Sequence, residues 1–127
     1  MVIGLFDDKK FAKLSISRAK QYQKETPFPN IQIKKFLPQE IAKKLSNNFP
    51  KYNDNHSWLD FKGYNKTKNS YFKRANHDER AFPKIFREFI KEANSRQFLL
   101  FLETISGIDG LIPDPYLIGG GLHIARE

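Results

Sequence analysis

Phe98-Leu99-Leu100-Phe101-Leu102-Glu103-Thr104-Ile105-Ser106-Gly107-Ile108 runs through Asp109-Gly110 into Leu111-Ile112-Pro113-Asp114-Pro115-Tyr116-Leu117-Ile118-Gly119-Gly120-Gly121-Leu122-His123-Ile124. The pattern changes partway along. Phe98, Leu99, Leu102 and Ile105 recur at helical spacing, and Gly107 suits a helix end. Pro113 and Pro115 exclude a continuing helix, so the tail from Leu111 to Glu127 reads as extended, with a strand from Leu117 to Ile124. Three glycines inside a strand imply a bulge or a close backbone approach where a side chain would not fit.

Working back from this stretch, Asp78 to Ser106 carries the strongest periodicity in the chain. Phe82, Ile85, Phe86, Phe89, Ile90 and Ala93 form a first stripe, and Asn94-Ser95 offers a break and a new cap. Two consecutive helices are therefore expected. Further back, Ser70-Tyr71-Phe72-Lys73 and Trp58-Leu59-Asp60-Phe61 alternate as short strands joined by the turn-rich segment Gly63 to Asn69. Pro38 sits at a first-turn position ahead of a helical face of Ile41, Ala42, Leu45 and Phe49, which Pro50 ends. Ile31 and Ile33 alternate with polar residues as in a half-buried strand. Asp8 to Glu25 reads as a helix with a thin apolar stripe of Phe11, Leu14, Ile16, Ala19 and Tyr22, stopped by Pro27 and Pro29. The order helix, strand, helix, strands, helices, strand is an α+β pattern without the regular alternation of a doubly wound sheet.

The 127 residues suffice for one domain, and 39 % apolar content with twelve Phe is enough for a core, which excludes global disorder. The net charge is +8, but the excess lies mostly in scattered pairs (Lys9-Lys10, Lys34-Lys35, Lys43-Lys44) with acids between them. A solvated Lys-rich surface is the expectation, without a nucleic-acid partner. The absence of Cys excludes disulfides and thiolate metal sites. Residues Met1 to Asp8 lack the basic start and apolar centre of a secretory signal, and no run is long enough to span a bilayer, so a cytoplasmic protein without membrane contact is expected.

Four constellations bear on chemistry. Gly119-Gly120-Gly121 lacks the following helix and the Lys-Ser or Lys-Thr of a phosphate-cradling loop. His77-Asp78-Glu79 places an imidazole and a carboxylate two apart, with His123 available as a second imidazole, as a non-haem iron site needs. Acids just ahead of a helix are more simply explained by capping and the helix dipole, so His77, Glu79 and His123 are assigned no ligand role. No Ser lies in a glycine-flanked elbow. Lys62 to Arg74 mixes rings and cations, as single-strand nucleic-acid surfaces do, yet fits no RNA-binding motif and reads as an inter-strand loop. Catalytic, cofactor-binding and metal residues are therefore all read as none.

Two stretches nonetheless resemble a known family. Pro27-Phe28-Pro29-Asn30-Ile31-Gln32-Ile33-Lys34-Lys35-Phe36-Leu37-Pro38 with its following helix, and more specifically Phe98 to Ile108 with Leu111 to His123, look like bacterial iron(II)/2-oxoglutarate dioxygenases related to prolyl 4-hydroxylases. The resemblance covers the chain from Pro27 onward. It implies helices packed on one face of an incomplete double-stranded β-helix, with residues 1–26 an amino-terminal helix, 27–110 a helical and β support region, and 111–127 the first strand region. Relatives carry His-x-Asp, a later His and a cationic 2-oxoglutarate anchor beyond the part that this chain matches. The resemblance thus implies an amino-terminal part, inactive alone, with no resident cofactor. Iron(II) and 2-oxoglutarate, with ascorbate, belong to the full-length family. Exposed sheet edges would favour a homo-oligomer, through pairing or swapping of the Leu117 to Ile124 strand. The competing reading is a small basic module for single-stranded nucleic acid or another polyanion.

Overall fold

The computed structural model describes residues 2–54, 57–58 and 73–125. Among them are four α-helices and one small antiparallel sheet: α1 (Lys9–Lys24), α2 (Gln39–Asn47), β1 (Lys73–Asn76), α3 (Lys84–Ala93), α4 (Arg96–Ser106) and β2 (Leu122–Ala125). The chain is α+β, as the alternation of patterns implies.

Local chemistry sets the helix ends. The Asp8 carboxylate accepts from the Lys10 amide at 2.9 Å, satisfying a first-turn donor of α1. Ser95 caps α4 by accepting from the Phe98 amide at 3.2 Å, and Gly107, at φ 75°, closes it with a bond from its amide to the Glu103 carbonyl. Two starts differ from the sequence reading by a few residues. Pro38 stands one residue outside α2, its carbonyl accepting from Ala42, so Gln39 is the first helical residue. The helix expected from Asp78 begins only at Lys84. Pro83 disfavours the helical region for Phe82, which stays extended, and the preceding Glu79–Ala81 forms a separate 3₁₀ turn.

The main core is aromatic. Phe6, Phe11, Phe36, Phe98 and Phe101 meet at centroid separations of 4.4 to 6.4 Å, with Phe11 edge to face against both Phe6 and Phe36. Val2, Leu5, Ile41 and Ile105 complete this cluster. The helix α1 lies against α4, with the buried Ser15 satisfying its hydroxyl on the Ala12 carbonyl at 2.8 Å so that no polar atom is orphaned. A second cluster joins Trp58, Phe82, Phe86 and Leu122, and partly buried Leu45 and Ile85 pack against both. The extreme amino-terminal residues Val2, Leu5 and Phe6, which show no periodicity, are nevertheless in the core. The Gly4 amide fastens them by donating to Glu92 of α3 at 2.9 Å.

Two strand expectations are corrected. Ile31 and Ile33 join no ladder among the described residues. They pack directly against the main core, and the chain turns immediately afterwards at Lys35, φ 55°. The strand expected from Leu117 starts only at Leu122. Leu117 (φ 51°) and Gly119 (φ 74°) leave the extended region, and the Gly120 amide closes a turn on the Leu117 carbonyl at 2.9 Å. Lys73, at the end of one expected strand, opens β1, while the remainder of that strand and Leu59 to Phe61 lie outside the described residues.

Candidate functional site

The sheet is where the glycine-rich segment, two of the three histidines and a buried amide come together. β1 and β2 pair antiparallel, with Arg74 opposite Ile124, Ala75 opposite His123 and Asn76 opposite Leu122. Continuing that register places Gly121 against His77. Gly121 adopts φ 108°, and a Cβ there would meet the Asn76 carbonyl oxygen and come within 2.9 Å of the His77 Cα. The close approach expected of the triple glycine thus falls on one residue, at the mouth of the strand. No helix follows these glycines: β2 does, and it is not the arrangement of a phosphate loop.

Asn76 is the most buried polar side chain beside this contact, 1 % exposed. Its Nδ2 donates to the Ser57 carbonyl and its Oδ1 accepts from the Asp78 amide, both at 2.9 Å, so the amide joins two segments with both ends satisfied. Trp58 Nε1 donates to the Lys51 carbonyl at 2.8 Å, which allows the indole to be buried against Phe49. Asn76 carries no periodic signal, and Trp58 shows one only as the first residue of the alternating run Trp58 to Phe61. An Asn two before an Asp, ahead of a turn, is the one cue that the sequence offers for Asn76.

The candidate iron residues do not assemble. Asp78 caps the 3₁₀ turn by accepting from the Arg80 amide at 3.0 Å and holds the Arg80 guanidinium at 2.8 to 2.9 Å. Those hydrogen bonds bring its pKa down to about 2 from the ordinary 3.8. The capping explanation for the acids after His77 is therefore what the geometry contains, with a short turn in place of an α-helix. His123 is exposed, its Nε2 3.2 Å from the Gly120 carbonyl oxygen. His56 lies outside the described residues. Among the described residues no three His, Asp or Glu side chains converge as a metal requires. The donor sets among the described residues thus do not fit iron.

Beyond the sheet, two carboxylates shape the segment before β2. Glu103 accepts from the Leu111 amide at 2.9 Å. Asp114 accepts from the Tyr116 amide at 2.9 Å and the Ile118 amide at 2.6 Å, a side-chain turn that Asp before Pro makes readily. Between α4 and this segment runs an open groove of about 330 Å³ lined by Leu99, Leu100, Glu103, Leu111, Ile112 and Pro113 among others. Among the described residues that line it there is no Ser, Thr, Lys or His.

Of the segment Lys62 to Arg74, only Lys73 and Arg74 are described, and Arg74 is engaged. It donates to the Tyr52 carbonyl at 2.7 Å and lies 5.6 Å from that ring's centroid. Among the described residues no helix is long and apolar enough to cross a membrane.

No family model, curated protein or solved structure matches the chain.

Proposed function

We propose that this chain forms the amino-terminal support and first strand of an iron(II)/2-oxoglutarate dioxygenase of the prolyl-hydroxylase-like kind. The observation that carries the reading is the run Phe98 to His123. It resembles that family over its length, and its course here is an amphipathic helix, a proline-bearing segment clamped by Glu103 and Asp114, and a strand seated by Gly121. That course suits a helical brace handing the chain into a sheet. In the full-length family the metal and its cosubstrate supply oxygen activation. The part assigned to these residues is mechanical: α1 and α4, with Phe6 and Phe36, build the aromatic core, α3 packs against it, and β1 with Trp58 and Phe86 positions β2.

The homo-oligomer expected of open strand edges belongs to this proposal, narrowed by the β1–β2 pairing to the outer edges of the two strands. A monomer by light scattering at tens of micromolar counts against it.

Succinate release tests the main proposal. The 127-residue chain, given iron(II), ascorbate and 2-oxoglutarate, is expected to show none above buffer. A gene product extending through an in-frame His-x-Asp is expected to turn over. Succinate from the shorter chain overturns the assignment of the ligands to other residues, and an inert longer product overturns the oxygenase reading itself.

A further inference from the structure

The helix α1 separates charge more sharply than the whole chain does. Its sixteen residues hold Lys9, Lys10, Lys13, Arg18, Lys20 and Lys24 and no acid. At 3.6 residues per turn, Lys9, Lys13, Ile16, Lys20 and Lys24 fall within an arc of about 80°. The arc lies opposite Phe11, Ser15 and Tyr22, which face the core, and all five of its residues are exposed, Ile16 at 70 %. Lys10 pairs with Asp8 at 3.9 Å, but among the described residues no carboxylate lies within ion-pair range of the four lysines of the arc. Helical winding thus gathers four lysines spread along α1 into one cationic ridge.

We propose that this ridge binds the phosphate backbone of duplex nucleic acid without regard to base sequence. The lysines run the full length of α1, fifteen residue steps or about 22 Å of helix axis, against phosphates spaced about 3.4 Å apart along each strand's axis. The arc holds no aromatic ring on which an unpaired base could stack, which favours a duplex over a single strand. Its sole apolar residue is Ile16. An in-plane membrane helix needs a whole apolar face, and the apolar face of α1 is committed to α4. The inference does not rest on the oxygenase reading, and it replaces the expectation of a surface without a polyanion partner.

The experiment is fluorescence anisotropy of a labelled 20-base-pair duplex titrated with the full chain between 50 and 200 mM salt. Four phosphate contacts give a log–log slope of about −3.6, a roughly 150-fold loss of affinity across that range. The double variant Lys13→Gln/Lys20→Gln changes exposed side chains only and leaves the far-UV circular dichroism unaltered. It is expected to halve the slope, to about −1.8 and a roughly 12-fold loss. Lys43→Gln/Lys44→Gln on α2 removes the same charge elsewhere and is expected to keep the original slope. Three results overturn the proposal: no duplex binding at 50 mM salt, equal effects of the two double variants, or tighter binding to phosphatidylserine–phosphatidylcholine vesicles than to the duplex.

Discussion

Adding one methyl group at position 121 is the sharpest test of how β2 is seated. In Gly121→Ala the new Cβ is driven into the Asn76 carbonyl oxygen and to 2.9 Å from the His77 Cα, both backbone atoms that cannot swing aside. The backbone also holds φ 108°, where an L residue costs about 1–3 kcal/mol by strain alone. Relief requires the β1–β2 ladder to open and Leu122, 6 % exposed, to leave the Trp58, Phe82 and Phe86 cluster, with about 2 kcal/mol of lost burial. The two routes are alternatives and the cheaper sets the cost, so the expected loss is about 2 kcal/mol, a large share of the 5–15 kcal/mol typical of a domain. At about 3–6 °C per kcal/mol for this size, the melting temperature falls by roughly 6–12 °C. Amide exchange should quicken at Lys73–Asn76 and Leu122–Ala125 while α1 and α4 stay protected. Its neighbours are the controls. Gly120→Ala, with ordinary φ and its nearest contact at 3.6 Å, is expected within about 0.5 kcal/mol of the parent. Gly119→Ala has open space but φ 74°, and should lose about 1 kcal/mol. If the three variants melt together, the close approach at Gly121 is not what seats the strand.

Three further outcomes follow from other contacts. Phe101→Ala removes a ring, 6 % exposed, that touches Phe36 and Phe98, and should cost about 3–5 kcal/mol in urea denaturation, whereas Phe28→Ala, 65 % exposed, should be near neutral. Ser95→Ala deletes the acceptor for the Phe98 amide and should cost about 1 kcal/mol, with Ser95→Asp restoring most of it; equal stability of the alanine variant and the parent would remove Ser95 as the cap. Asp78 should titrate near pH 2 by carboxyl-carbon NMR and return toward 3.8 in Arg80→Ala. Because the folded value is depressed, its contribution to the turn is present above the ordinary carboxylate value and fades as pH falls from about 4 through 2. An Asp78 midpoint unchanged by Arg80→Ala rules out the guanidinium as the cause.

The helices were legible because their information is local. Phe98, Leu102 and Ile105 repeat at the helical period, and Asp8, Ser95 and Gly107 mark ends through their own side chains or lack of one. The alternating Ile31 and Ile33 misled, because a half-buried strand and an irregular segment lying on a core leave the same pattern of two. Pairing was out of reach for a related reason. Nothing in Lys73–Asn76 names Leu122–Ala125 as its partner 46 or more residues later. At the sheet, three glycines announced a tight approach but not which of them made it or against what. Asn76, which ties the approach to the rest of the chain, acts singly and leaves no period to detect, and the alternation that begins at Trp58 does not reveal its bond to the Lys51 carbonyl. The cationic ridge was hidden because charge pairs counted along the chain ignore the helical face that gathers Lys9, Lys13, Lys20 and Lys24.

The location of Val2, Leu5 and Phe6 has a consequence for how the molecule is made. Phe6 meets Phe98 at 4.4 Å, a partner 92 residues downstream, and α1 rests on α4. Translation at about 5–20 residues per second leaves Phe6 waiting roughly 5–20 seconds for the helix that will cover it. Through that interval Val2, Leu5 and Phe6 are bare, beside a lysine-studded helix that cannot yet bury its own rings. Molecular chaperones that bind apolar segments therefore find a target at Val2 to Phe6, and their release is timed by the emergence of α4.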